Sequence, residues 1–388
     1  KISALSSNNT IFDVGTNGQD DYTPFFFQND GKIRLYEVVN GTLQNYNLIT
    51  NRLFRDTSAW YHLVYRVDTT QSTASDRIRL YVNGVQETSF STATYPSQNY
   101  ATLKNSTSYA NVIGVASDNY GANFYNGSMS HIHFCDGYSY DASAFGETDA
   151  TTGEWKIKTS PSVTYGTNGF FILKDGNSVT DQSGNSNNFT VGGGTLTKTE
   201  DCPSNVFATW NPLEPELSYK GTYSNGNTTV ATTTTGGTSL RGSIAIPYTG
   251  KWYWENKIVS TSGTIADNSR IGIATGDSVT VGSNVRYMSN GQKTVDASAS
   301  SYGATYAAGD IISVAVDSDN NTVEFFKNGV SQGSISYTMD SSLDYKPYIS
   351  ENSNTISINF STNFGNGYFG TTAVSSAGTN ASGNGIFE

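Results

Sequence analysis

Two Asn-Gly dipeptides constrain what this chain can fold into more than any other feature. Asn83-Gly84 sits within LYVNGV at 80–85, and Asn328-Gly329 within FFKNGV at 325–330. A two-residue hairpin loop that matches strand twist needs positive φ at both positions, and Asn followed by Gly adopts this at least cost. Upstream of the first dipeptide, Ile78, Leu80 and Val82 alternate with Arg77, Arg79 and Tyr81. That is the period-2 pattern of a half-buried strand. Val85 to Phe90 is the expected return strand. Just before this hairpin, Tyr61, Leu63, Tyr65 and Val67 share one strand face, with Trp60, His62 and Arg66 on the other. Ahead of the second dipeptide, Ile312, Val314 and Val316 alternate, a turn follows at Asp317 to Asn321, and Val323 to Phe326 runs back. The fold class is all-β.

Short strands with turns every ~8–12 residues predict sandwiches in both halves. The expectation is two antiparallel, jelly-roll-like β-sandwich domains joined by an irregular packed connector. Residues 1–140 form the first sandwich and 216–388 the second. Residues 141–215 form the connector, punctuated at Asp175-Gly176-Asn177 and at Ser183 to Asn187, with Phe170 to Leu173 and Phe189 as its apolar anchors. The Thr-rich tract 227–237 reads as an edge strand or loop of the second domain. Trp60, Trp252 and Trp254 read as core. Hydrophobic residues are only 36% of the chain, but 25 Tyr and 19 Phe bring aromatics to 13%, which disordered chains lack.

The net charge of -11 excludes binding along a nucleic-acid backbone, which needs clustered cations. No apolar run approaches the ~20 residues of a bilayer span, so no membrane insertion is expected. Cys135 and Cys202 do not make a disulfide framework; a bond between them stays open, with free thiols the simpler state.

Aromatic side chains on loops offer large contact area at low entropy cost. The loop aromatics are Tyr95, Tyr100, Tyr120, Phe124 and Tyr125 in the first half, and Tyr287, Tyr302 and Tyr306 in the second. These are the candidate ligand-binding residues, with edge packing as the competing role for each. Met129, His131, His133 and Cys135 alternate, which would set two imidazoles about 6.6 Å apart on one strand face. Zinc there would need further ligands, so His131 and His133 are weak metal candidates. Asp317 to Asn321 begins like a calcium loop but has Thr322 and Asn328 where Gly and Glu belong, so a polar turn is expected.

Trp60 to Val64, Asp68, the hairpin Arg79 to Gly84 and the segment Asn126 to Phe134 resemble the laminin-G/concanavalin A-like sandwiches. Lys251-Trp252-Tyr253-Trp254-Glu255, Ile271-Gly272-Ile273, Gly309 to Ile312, Val323 to Gly329, Tyr345 to Tyr348 and Ile358 to Phe360 resemble a SPRY domain. The bridge DGYSYDASAFGETDATTGEWKIK at 136–158, YGTNGFFI at 165–172 and DQSGNSNNFT at 181–190 is similar to a segment of tailed-bacteriophage structural and tail-fibre proteins. There it joins these two domain types. The family's first strand is expected ahead of Lys1 and its last segment after Glu388, so both ends read as truncated.

The resemblance implies a virion-surface, extracellular adhesion protein that binds a host-surface glycan or protein. It also implies contacts with other virion proteins and assembly as a homo-oligomer, a trimer among the options. The alternative is a structural capsid or tail decoration protein. The first resemblance implies calcium at the rim, for which Asp118 and Asn119 are the best matches; no other cofactor is expected. The same fold hosts glycoside hydrolases, which need paired carboxylates across the scissile bond. Glu147-Thr148-Asp149 is the nearest match, but Thr152 stands where the next acid belongs. No nucleophile elbow, P-loop or metalloprotease helix occurs. The chain is therefore expected not to be an enzyme.

Overall fold

The alternation of Ile33 and Leu35 with Arg34 and Tyr36 gives a strand one greasy face, and that face must find a second sheet. In the computed structural model it does so within the first of two compact units, Lys1–Lys198 and Thr199–Glu388. The structure describes all residues except 19, 58, 151–152, 154, 175–177, 204, 214–220, 234–236, 266–267, 276–282, 297, 354 and 380–384. The turn expected at Asp175 to Asn177 lies outside the described residues.

The first unit carries a six-stranded antiparallel sheet in the order Phe90–Thr94, Thr42–Thr50, Ile33–Val39, Phe25–Phe27, Asn9–Gly15, Ala110–Ile113. A three-stranded sheet, Leu63–Val67, Ile78–Val82 and Val85–Glu87, supplies the other layer. Phe25, Phe27, Ile33, Leu35, Tyr46 and Leu48 meet Ile78, Leu80 and Val82 between them, with Leu63 and Tyr65 packed alongside. The return strand of the first hairpin is shorter than expected. Glu87 folds back to accept the Ser89 N–H, and Phe90 crosses to pair with Thr50 in the larger sheet. Trp60 is half-buried and precedes the strand, whose pairing starts at Leu63 opposite Val82.

The second unit stacks a seven-stranded sheet on a six-stranded one. Trp254, Ile258, Ile312, Val314, Val316, Val323, Phe325 and Phe360 of one pack against Leu240, Ile271, Ile273, Val285, Tyr287 and Ile349 of the other. The Thr-rich tract contributes Thr229–Ala231, which pairs with both Thr222–Ser224 and Ile358–Asn363. Trp210, in the stretch read as connector, is fully buried in this core, T-shaped on Phe364 at 5.3 Å, and donates its indole N–H to Thr362 Oγ1 at 3.0 Å. Trp252 corrects the core expectation. It lies at the start of the strand Lys251–Thr261, is 40% exposed, and its indole N–H donates to Thr249 O at 3.1 Å in the turn before the strand.

Both Asn-Gly turns have the expected positive φ, with Asn83 at 47° and Gly84 at 80°, and Asn328 at 48° and Gly329 at 77°. Each Asn also does something that the dipeptide alone does not announce. Asn83 Oδ1 accepts the His62 N–H at 2.8 Å while its own N–H donates to His62 O. Asn328 does the same to Ile311, 2.8 Å in both directions. One carboxamide thus locks the hairpin tip to the preceding strand and fixes register across three strands.

The segment after residue 135 is held by its own chemistry. Phe170–Ile172 is buried and pairs with Ile132–Phe134. Asp181 gathers the N–H groups of Phe171, Ser183 and Asn187, and the amides of Asn185 and Asn187 both bond Gly169 O. The motif DQSGNSNN is therefore a hydrogen-bonded knot. The expected alternation from Met129 to Cys135 is cut to three strand residues, because His131 takes φ of 50°. Asn328→Ala should lower the stability of the second unit by about 2 kcal/mol, from a left-handed residue with a Cβ, the lost acceptor for the Ile311 N–H and the lost amide bond to Asp310. Asn328→Gly should lose about half as much; urea unfolding compares the two.

Candidate functional site

Of the loop aromatics in the first unit, three are anchors. Tyr100 donates to the buried Glu37 at 2.5 Å. Tyr125 packs on the core and donates to Lys1 O at 3.0 Å, and Tyr95 packs on the same core. Tyr120 at 40% exposure and Phe124 at 57% do face solvent, on a loop with Asp118 and Asn119. Asp13 pins that loop to the sheet: it is fully buried and accepts Ser117 N at 2.9 Å, Val14 N at 2.8 Å and Thr23 N at 3.1 Å. Lys104 lies beside it, its ammonium held down to about 8 by burial, with Asp13 and Glu37 pulling the other way.

Three residues that the sequence reading did not single out join this loop electrostatically. Tyr22, Arg34 and Tyr36 lie on the face of the six-stranded sheet opposite the core. The Arg34 guanidinium sits 4.2 Å over the Tyr36 ring, and its Nε donates to Asn47 Oδ1 at 3.0 Å. Tyr36 meets Tyr22 at 6.0 Å and the buried Phe26 at 5.9 Å, both edge to face. Burial raises both phenols, Tyr36 the more strongly, and the Asp118 carboxylate adds to the rise in each. Arg34 Nη1 and Nη2 make no hydrogen bond to protein among the described residues. The signal was the IRLYEV alternation itself, which turns Arg34 and Tyr36 outward once Ile33 and Leu35 turn in.

In the second unit the expected rim moves inside. Tyr287 is 0% exposed on the strand Asn284–Met288, whose residues are buried on both faces, and Tyr306, 3% exposed, reaches in from a loop to pack on Tyr287 at 5.2 Å. Tyr306 donates to Ser269 O at 2.9 Å, and Tyr302 braces Tyr287 at 5.3 Å and donates to Gly333 O. Exposed apolar groups of this unit include Trp252 at the start of its strand and Ile244, Tyr248 and Leu343 on loops.

The proposed metal ligands do not converge. His131 Nδ1 pairs with Ser130 Oγ at 2.7 Å, and His133 Nδ1 with the Tyr165 hydroxyl at 2.8 Å, its ring stacked 3.9 Å from Phe171. Asn119 Oδ1 accepts the Gly121 N–H at 3.0 Å. Asp317 takes Lys251 Nζ at 2.6 Å and Asn320, a capped polar turn. Asp149 pairs with Lys156, and the neighbouring Glu147 is exposed on the strand Gly146–Thr148. Among the described residues no three His, Cys, Asp or Glu side chains are grouped to hold a metal ion.

Residues 1–141 match the family model of the concanavalin A-like lectin/glucanases superfamily of the laminin-G type, and residues 251–363 match that of the SPRY domain. The chain thus carries a concanavalin A-like sandwich followed by a SPRY domain. Among solved structures, the SPRY domain of human HERC1 aligns at 15% identity and TM-score 0.31, covering 35% of this chain and 87% of that one. A human SPRY domain aligns at 18% and 0.29, covering 34% and 91%. No curated protein matches the chain.

One carboxyl stands apart. Glu351 is fully buried; one oxygen accepts Ser353 N–H and Oε2 has no hydrogen-bond partner among the described residues. Burial lifts it from 4.5 to about 7. The folded state therefore holds this proton longer than the unfolded chain, so the stabilisation is complete below about 4.5 and is lost as pH rises through 7. Glu351→Gln should raise the melting temperature of the second unit at pH 8 and leave it nearly unchanged at pH 4.5. Calorimetry at the two pH values measures this.

Proposed function

We propose that this protein is a non-catalytic adhesin of a tailed-bacteriophage particle, displayed on the virion surface and binding a host-surface glycan or protein. The observation that carries the reading is the Tyr22, Arg34, Tyr36 and Asp118 patch. Flat rings on paired backbone present a surface for stacking, and a guanidinium whose Nη donors are open among the described residues, with the Asp118 carboxylate acting on the same two phenols, supplies hydrogen-bonding groups of both kinds. Rings and donors held by strands lose little entropy on binding. The bridge at 136–190, similar to tail-fibre segments, supports the virion assignment.

Weak single sites become effective attachment when several copies engage together, so the protein acts as a homo-oligomer. The reading needs no cofactor; Asp118 serves as a hydrogen-bond acceptor, and calcium at Asp118 and Asn119 is not required. A second reading, a capsid or tail decoration protein, is favoured by Val85 at 68% and Val330 at 65% exposure, both next to hairpin tips where other virion subunits could pack.

Arg34→Met keeps the stem over Tyr36 and removes the donors. Binding of the full chain to a glycan array or to host cells should fall roughly tenfold or more in this variant, since charge-assisted hydrogen bonds contribute about 1.5–3 kcal/mol each. A chelator should leave binding unchanged. No signal from the unaltered protein on either surface would favour decoration instead.

A further inference from the structure

All three histidines of the chain meet in one aromatic layer. The layer lies on the outer face of the three-stranded sheet, within the first unit. His62, Val64, Arg66 and Tyr81 form that face, since Leu63, Tyr65, Leu80 and Val82 point into the core. The paired strands Gly146–Thr148 and Trp155–Ile157 are tied over it. Trp155 is the tie. A Cβ on Gly84 or on Gly146 would lie 2.4 Å from its ring, so the indole is seated in a slot that two glycines leave open. Its Nε1–H donates to His62 Nδ1 at 2.9 Å, with the rings stacked at 5.9 Å.

An indole N–H can only donate, so His62 Nδ1 must be a bare acceptor and the ring must be neutral, with its proton on Nε2. Adding a proton sets two donors against each other. We propose that the Gly146–Ile157 hairpin is an acid-released strap, with the His62–Trp155 hydrogen bond as its catch, and that its release uncovers the His62, Val64 and Tyr81 face.

The surrounding charges agree with this. His133, from the strand Ile132–Phe134, faces the same layer, packed on Phe171 and Phe145 and bonded to Tyr165, with His131 and the Cys135 thiol nearby. Among the described residues no carboxylate is paired with His62. On the same sheet face Asp141 accepts from Tyr81 at 2.7 Å and pairs with Arg66 at 3.4 Å, and Asp68 pairs with Arg66 at 3.5 Å. On the strap, Asp149 is engaged by Lys156, while Glu147 is exposed. Burial holds the His62 imidazole down at about 4 against an ordinary 6.5, and His133 lower still, by burial and by the other two histidines. Neutral-ring stability is whole above 6.5 and is lost as pH falls toward 4. Through His62 alone, the released form should be roughly thirtyfold more populated at pH 5 than at pH 7.5.

Hydrogen–deuterium exchange of the full chain, corrected for intrinsic rates, tests this at pH 7.5 and pH 5. Protection of the peptide over 146–157 should fall roughly thirtyfold in acid, while Ile78–Val82 keeps its protection. His62→Asn retains an acceptor near the Nδ1 position and cannot titrate, so its strap should stay protected at both pH values. Trp155→Phe lacks the donor and should exchange fast at both. Unchanged protection of the native strap at pH 5, a His62→Asn strap that remains acid-labile, or loss of protection across the whole unit in place of the strap would each overturn the proposal.

Discussion

Every surface feature of this protein rests on strand register. Pairing Phe25 with Leu35 and Phe26 with Arg34 places Ile33 and Leu35 in the core and Arg34 and Tyr36 outside. A slip of one residue would exchange the two sets and erase the patch while leaving the hydrogen-bond ladder intact. The apolar cost of exposing Ile33 and Leu35, about 1.5–3 kcal/mol for each side chain, makes the slip prohibitive. The Asn83 and Asn328 carboxamides enforce the same choice locally by bonding the strand next to the turn.

Each unit also buries ionisable groups. In the first, Asp13, Glu37 and Lys104 share one interior region, and the two carboxyls rise and the ammonium falls, all by burial. Asp13 and Glu37 hold backbone N–H groups there, so the charges serve to shape the loops at 103 and 117. In the second, Glu255 collects Asn363, Tyr253 and the Glu388 N–H, and ties the strand Ile386–Phe387 to the sheet. Removing one partner from such a set leaves an unpaired buried group, which costs more than the bonds themselves contribute.

Much of the architecture was legible in the residues. The hairpins, the alternation at 78–82 and 312–316, and the aromatic content pointed to stacked antiparallel sheets. The marks at 60–84 and 251–360 pointed to the two domain types. The binding residues were less legible, because an aromatic flanked by Gly and Ser reads as a loop tip whether it faces water or core. Tyr287 faced inward because both faces of its strand are covered, and Tyr306 because its loop turns the ring in against Tyr287. Trp252 faced outward at the start of its strand, bonded back to Thr249, while Trp254 two residues on is buried.

Sequence by itself determined which residues alternate, where the chain must turn and which segments bury aromatics, because these follow from local φ preferences and side-chain periodicity. Only the tertiary structure decided which outer face carries Arg34 over Tyr36, and that His62 opposes Trp155 ninety-three positions away. Such pairs come from sheet order and loop packing, and no local rule links residues so distant in the chain.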